Sequence, residues 1–143
     1  MKAVDTNVLV YAHRKEMPLH LAALGTLETL ITGIAQWAIP WPCVHEFIAV
    51  VTNPRIFKTP TPVTKAFETV RSWDQGKNLQ YLAEDPDYLA TLEELVRPTA
   101  LSGAKIHDAR IAAICLHHGV YELLTCDRDF SLFPRLRVSN PLV

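Results

Sequence analysis

Short apolar runs of strand length alternate along this chain with longer segments whose apolar residues recur every three or four positions. The short runs lie at about Lys2–Asp5, Trp37–Pro40, Leu79–Leu82, Glu122–Thr125 and Leu136–Ser139. Between them the spacing predicts helices, one starting near Thr6 and others over Pro18–Thr32, Cys43–Thr52, Pro62–Asp74, Asp85–Val96 and Ala104–His118. Gly33, Asn53-Pro54, Pro98 and Gly119 supply the stops. The apolar stripes comprise Leu21, Leu24, Leu27, Leu30 and Ile31 in one helix, and Val63, Ala66, Phe67, Val70 and Trp73 in another. A further stripe joins Tyr88, Leu89, Leu92, Leu95 and Val96. Strands and helices in strict alternation imply an α/β fold, a central, mostly parallel five-stranded sheet with helices on both faces. With 143 residues, a single domain can bury roughly 68–70% of its unfolded surface and needs no disulfide or structural metal.

That topology gives meaning to the positions of the acidic residues. Asp5 follows the first apolar run and Asp127 the fourth, so both emerge at the carboxyl edge of one sheet, where open α/β sheets place their ligand crevices. Glu46 and Asp108 sit on helices that lead toward the same edge. Two unit charges ~4 Å apart repel by ~1 kcal/mol in water and ~4 kcal/mol at an effective dielectric of 20. A hard divalent cation turns that repulsion into attraction, and an all-oxygen site suits magnesium (Mg2+) or manganese (Mn2+).

Each residue also has a plainer reading. Asp5 fits a helix N-cap, and Asn7 a first-turn polar residue, although Asn7 offers a neutral oxygen ligand as well. Glu46 lies among Val44, Phe47, Ile48, Val50 and Val51, so its carboxylate is either at a wet edge or held for a purpose. Asp108 would be stabilised near a helix N-terminus by about 0.3–1 kcal/mol without any metal. Asp127 and Asp129 flank Arg128 in a turn, where Asp is common. Thr125 can hydrogen-bond a neighbouring carboxylate, and Cys126 lacks the partners of a nucleophile. His45 points about 100° from Glu46 on a helix. His107 reads as a surface residue, Arg110 as a partner for some carboxylate, and Arg55 and Lys58 as either solvated or in contact with a polyanion.

Bulk composition narrows the class further. Three cysteines without a C-x-x-C pair argue against a disulfide framework or a zinc ribbon and for a reduced, cytoplasmic protein. No signal-peptide core or membrane-length apolar run is visible. Net charge is −1, but setting aside Asp5, Glu46, Asp108, Asp127 and Asp129 from the 15 acidic residues leaves 10 against 14 Lys plus Arg. The rest of the surface is therefore mildly basic, which is compatible with RNA.

The segments V-D-T-N-V-L-V-Y-A, P-C-V-H-E-F, H-D-A-R-I-A-A and L-L-T-C-D-R-D-F, in this order, resemble the four acidic motifs of PIN domains. Within that family the chain is similar to VapC-type toxins, the ribonuclease halves of prokaryotic toxin–antitoxin pairs. The resemblance implies a single PIN-like nuclease domain over residues 1–143, with Asp5, Glu46, Asp108 and Asp127 as the acidic quartet. It further implies Asp5 and Asp108 as principal metal ligands, with Glu46 and Asp127 binding directly or through water. Asn7, Thr125 and Asp129 would be accessory. The expected activity is Mg2+- or Mn2+-dependent endoribonuclease cleavage by an activated water, leaving 5′-phosphate and 3′-hydroxyl ends. Expected partners are RNA, a cognate antitoxin and a second copy of the chain, with no membrane. Exposed apolar residues such as Leu21 and Leu24 could serve those protein contacts or the core.

Two other classes share an acidic pocket. An aspartyl-phosphatase needs a second carboxylate two residues after the first, and position 7 holds asparagine. A catalytically silent, receiver-like binding module needs an acidic pair after the first strand, which this chain also lacks.

Overall fold

The computed structural model describes residues 1–143 and contains a five-stranded sheet and six α-helices. In chain order the elements are β1 (Lys2–Val4), α1 (Thr6–His13), α2 (His20–Thr32), β2 (Trp37–Pro40), α3 (Trp41–Val51) and α4 (Val63–Ser72). There follow β3 (Leu79–Leu82), α5 (Tyr88–Val96), α6 (Ile106–His117), β4 (Glu122–Leu124) and β5 (Val138–Ser139). Short 3-10 turns at Gly103–Lys105 and Arg128–Leu132 flank α6 and β4.

Every strand pairing is parallel, in the order β3-β2-β1-β4-β5. All five expected strands are present. The last is shorter than Leu136–Ser139 because only Val138 and Ser139 find partners, opposite Leu123 and Leu124. All four residues of β2 are buried, as are all three of β4, so the middle of the sheet is covered on both faces. One continuous cluster of 34 buried apolar residues fills the space between sheet and helices. Within it α1 packs on α2 and α3, α3 on α4, and α5 on α6. No helix is long and apolar enough to cross a membrane. All three cysteines are free thiols.

Three helical stripes differ from expectation at their edges. On α2 the inward residues are Ala23 and Leu27, while Leu21 is 80% exposed and Leu24 half-buried. The helix begins at His20 rather than Pro18. On α4, Ala66 and Trp73 face the core, whereas Val63 and Phe67 are exposed, and on α5 Leu89 points to solvent. In α2 the small Ala23 marks the inner face, and an alanine contributes little to a stripe counted from large side chains.

A polar side chain and a close backbone approach hold the sheet's β2–β3 side. Asn78 donates its amide to the carbonyls of Leu30, Gly33 and Ala35 at 2.9, 3.0 and 2.9 Å, and accepts from the Trp37 indole at 3.3 Å. Gly76 lies so close to α2 that a Cβ would meet the Ile31 carbonyl at 2.0 Å. At the end of α6, Gly119 adopts φ +72°, the left-handed cap expected there.

Candidate metal centre

The chain builds β1, then β2 and β3 to one side of it, and only later β4 on the other side. The β1/β4 boundary is thus the switch point of the sheet, where loops leaving neighbouring strands part and open a crevice. Asp5 leaves β1 there, its backbone N–H donating to Leu124 O at 3.0 Å as the ladder ends. Its extended backbone and its side chain cap α1, with Oδ1 accepting from Thr6 N at 2.8 Å.

Asp5 is both the helix cap and the centre of a buried network. Its Oδ2 accepts from Thr125 Oγ1 at 2.7 Å and from Asn7 Nδ2 at 3.0 Å. The Cys43 thiol approaches Oδ1 at 3.6 Å. Asn7 donates again to Thr125 Oγ1 at 3.0 Å, and its own Oδ1 accepts from Cys126 N at 3.2 Å. Thr125 Oγ1 accepts from Asp127 N at 3.0 Å, and Asp127 Oδ1 from Asp129 N at 2.9 Å. One connected set of bonds therefore ties the start of α1 to the turn after β4. Asp5 is only 4% exposed. Burial drives its carboxyl from an ordinary 3.8 up to about 6, opposed by the bonds from Thr125 and Thr6 and assisted by the charge of Glu46.

The remaining acids gather around this anchor. A cleft of about 220 Å3 is lined by Asp5, Asn7, Tyr11, Glu46, Asp108 and Asp127 among others, so the four expected residues do meet. Glu46 sits at the wet edge of α3, accepting from Thr6 Oγ1 at 3.2 Å. The tightest grouping is Asp108, Asp127 and Asp129, whose carboxylate oxygens lie within 4.8 Å of one another. Asp129 is thus part of the closest acidic set, and Asp5 forms the floor behind it with both oxygens already accepting hydrogen bonds. Burial and the nearby Asp127 push the Asp108 carboxyl up, and Lys105 partly offsets them.

Lys105 was not foreseen. It ion-pairs with Asp129 and stands 4.0 Å from Asp108, and these contacts raise its ammonium above the usual lysine range. The only signal was its place three residues before Asp108, one helical turn away. Arg110 turns instead to Glu84, outside the cleft. His45 and His107 are exposed. Cys126 is half-buried beside the Tyr11 hydroxyl, as packing would have it.

The donor set fits a hard cation: all carboxylate, half-exposed at the front, and with Lys105 its sole ion-pairing partner. Volume does not single this cleft out, since other grooves are larger; the convergence of carboxylates does. A family model described as the PIN domain matches residues 2–136. The chain belongs to the PIN domain family. Among curated relatives of this PIN domain, ribonuclease VapC43 of Mycobacterium tuberculosis is 34% identical over 142 residues, covering 99% of this chain and 96% of the relative. Ribonuclease VapC25 of the same organism is 30% identical over 141 residues, covering 99% of both. In fold, the PIN domain is similar to VapC20 of M. tuberculosis, described as a Sarcin-Ricin loop cleaving toxin. That match has TM-score 0.67 at 15% identity, covering 96% of this chain and 99% of the other. It is also similar to VapBC2 from Rickettsia felis, solved bound to a DNA fragment from its promoter. There the TM-score is 0.70 at 19% identity, over 97% of each chain.

Proposed function

We propose that this PIN domain is a metal-dependent endoribonuclease, the toxin of a toxin–antitoxin pair, hydrolysing RNA phosphodiester bonds. The observation that carries the reading is the meeting of Asp5, Glu46, Asp108 and Asp127, from four separated segments, at the switch point of the sheet. The relatives named as VapC ribonucleases support it. A Mg2+ or Mn2+ ion would be held by Asp108 with Asp127 and Asp129 at the front and Asp5 behind, Glu46 acting directly or through water. When bound, such an ion supplies Lewis-acid chemistry, making a water more acidic and neutralising charge on the phosphate.

The chain's own residues have distinct tasks. Thr125 and Asn7 hold the Asp5 carboxylate in one rotamer, so that orientation is fixed before substrate arrives. Asp127 and Asp129 are set by the hydrogen-bonded turn that follows β4. Lys105 supplies a balancing positive charge at the mouth. The same reading gives the chain a cognate antitoxin, supported by the solved relatives that carry toxin–antitoxin names, and a homodimeric state. An aspartyl-phosphatase gains nothing from the geometry, because the Asn7 carboxamide is spent on Asp5, Thr125 and Cys126.

The test is cleavage of defined RNA by purified protein with Mg2+, Mn2+ or EDTA. Metal-dependent cutting with 5′-phosphate ends is expected, and Asp108→Asn should lose it by at least ~100-fold while keeping its circular dichroism spectrum. An Asp108→Asn protein that cuts at the parent rate would sink the assignment.

A further inference from the structure

A second cleft, of about 640 Å3, opens at the far end of α1 and is lined by Arg14, Lys15, Glu16, Ile56, Phe57 and Lys58 among others. Arg14 is built into its wall. It donates to Thr61 Oγ1 at 3.0 Å and to Thr59 O at 2.8 Å, and its guanidinium lies 4.1 Å over the Phe57 ring. The one ion pair in the cleft joins Arg14 to Glu16. Lys15 and Lys58 are exposed and keep their charges unneutralised.

The acidic and basic clefts are separate cavities that follow one another along α1 and the end of α3. On α1, Asn7, Val10 and Tyr11 line the acidic end, and Arg14 follows at the same helical spacing. On α3, Glu46 and Val50 line the acidic end. Asn53, one turn on, accepts from the backbone N–H groups of Ile56 and Phe57 at 3.1 Å, and its side chain from Arg55 N at 2.9 Å. Asn53 thereby shapes the loop that carries Lys58. At 1.5 Å per residue, Arg14 lies ~10 Å along the helix from Asn7.

We propose that the basic cleft is a backbone subsite for single-stranded RNA, gripping phosphates a few nucleotides from the bond cut at the acidic end. This rests on the ribonuclease reading. Lys15 and Lys58 are mobile point charges suited to phosphate, while Arg14 fixes the wall against which they work. Ile56, 54% exposed, offers apolar surface to a ribose or base face. RNA is favoured over an acidic protein segment, because the bond that the acidic cleft would cut belongs to the same backbone that the basic side chains would grip.

The experiment uses the full-length protein in EDTA with a short fluorescein-labelled single-stranded RNA, read by anisotropy across a salt series. The double variant Lys15→Ala/Lys58→Ala should bind roughly tenfold more weakly, and its log affinity should fall less steeply with log salt, by about 1.4 in slope for two phosphate contacts. The outlying Arg97→Ala, on α5's far end, should bind as the parent does. If the double variant matches the parent in affinity and slope while the parent still cuts RNA in Mg2+, the subsite is wrong and the nuclease stands. If the parent neither binds nor cuts any RNA, the nuclease reading fails and the subsite with it. Unchanged RNA binding with loss of a co-expressed antitoxin would give the cleft to the protein partner and overturn the proposal.

Discussion

Replacing Asp5 by asparagine should stabilise the metal-free protein at neutral pH, although Asp5 is the most heavily hydrogen-bonded acid in the cleft. Burial raises its carboxyl from 3.8 to about 6. At 1.36 kcal/mol per pH unit that corresponds to ~3 kcal/mol of unfavourable charge burial, even with all its hydrogen bonds in place. The sign follows from proton linkage. The folded state holds this proton more tightly than the unfolded chain, so stability falls as pH rises from about 4 to about 6, and the full cost persists above. Asparagine removes the charge but turns an acceptor into a donor facing the Thr125 hydroxyl and the Asn7 amide, losing ~1 kcal/mol. The net gain near pH 7.5 is ~2 kcal/mol, or about 8 °C in melting midpoint for a chain of this size. Near pH 4 the order reverses, because the wild-type carboxyl is then neutral and fully bonded; the curves should cross near about pH 4.5. Differential scanning calorimetry in EDTA across pH 4–8 reads this directly. A variant less stable than the parent at every pH, or a difference that does not vary with pH, would refute the assignment of the cost to a buried charge.

Other consequences are equally direct. Thr125→Val removes the donor that lowers the Asp5 carboxyl; a carboxyl-carbon NMR titration should find Asp5 protonated to higher pH than in the parent. Asn78→Ala leaves three carbonyls and the Trp37 indole without their partner. It should cost ~3 kcal/mol in urea unfolding without changing RNA cleavage per folded molecule. Gly119→Ala meets nothing within 4 Å but must hold φ +72°, so it should lose ~1 kcal/mol, and Gly119→Asn less.

Much of the fold could be read from residue order because short parallel strands and their intervening helices differ in period and in punctuation. Pro42 at the start of α3 and Gly119 after α6 are local signals: α3 begins and α6 ends where those residues require. The convergence of Asp5, Glu46, Asp108 and Asp127 followed from topology, since the carboxyl ends of β1 and β4 must be neighbours once the strand order is right. What sequence could not convey was side-chain allocation within the cleft. Asn7 serves equally as a ligand or as a brace in one dimension, and only its bonds to Asp5, Thr125 and Cys126 make it a brace. Lys105 escaped notice because an isolated lysine on a turn has no pattern. Spacing put Leu89 in an apolar stripe and left Leu21 open to the core or to a protein contact; both are exposed.

The crevice is assembled from residues far apart in the sequence, from Asp5 to Asp129. During synthesis, a chain halted before β4 holds Asp5, Glu46 and Asp108 but lacks the strand that anchors Asp5 N and the hydroxyl that orients its carboxylate. Such an intermediate has no assembled acidic mouth. The chemistry therefore waits on β4, and every nascent chain that stops short of that strand is without it.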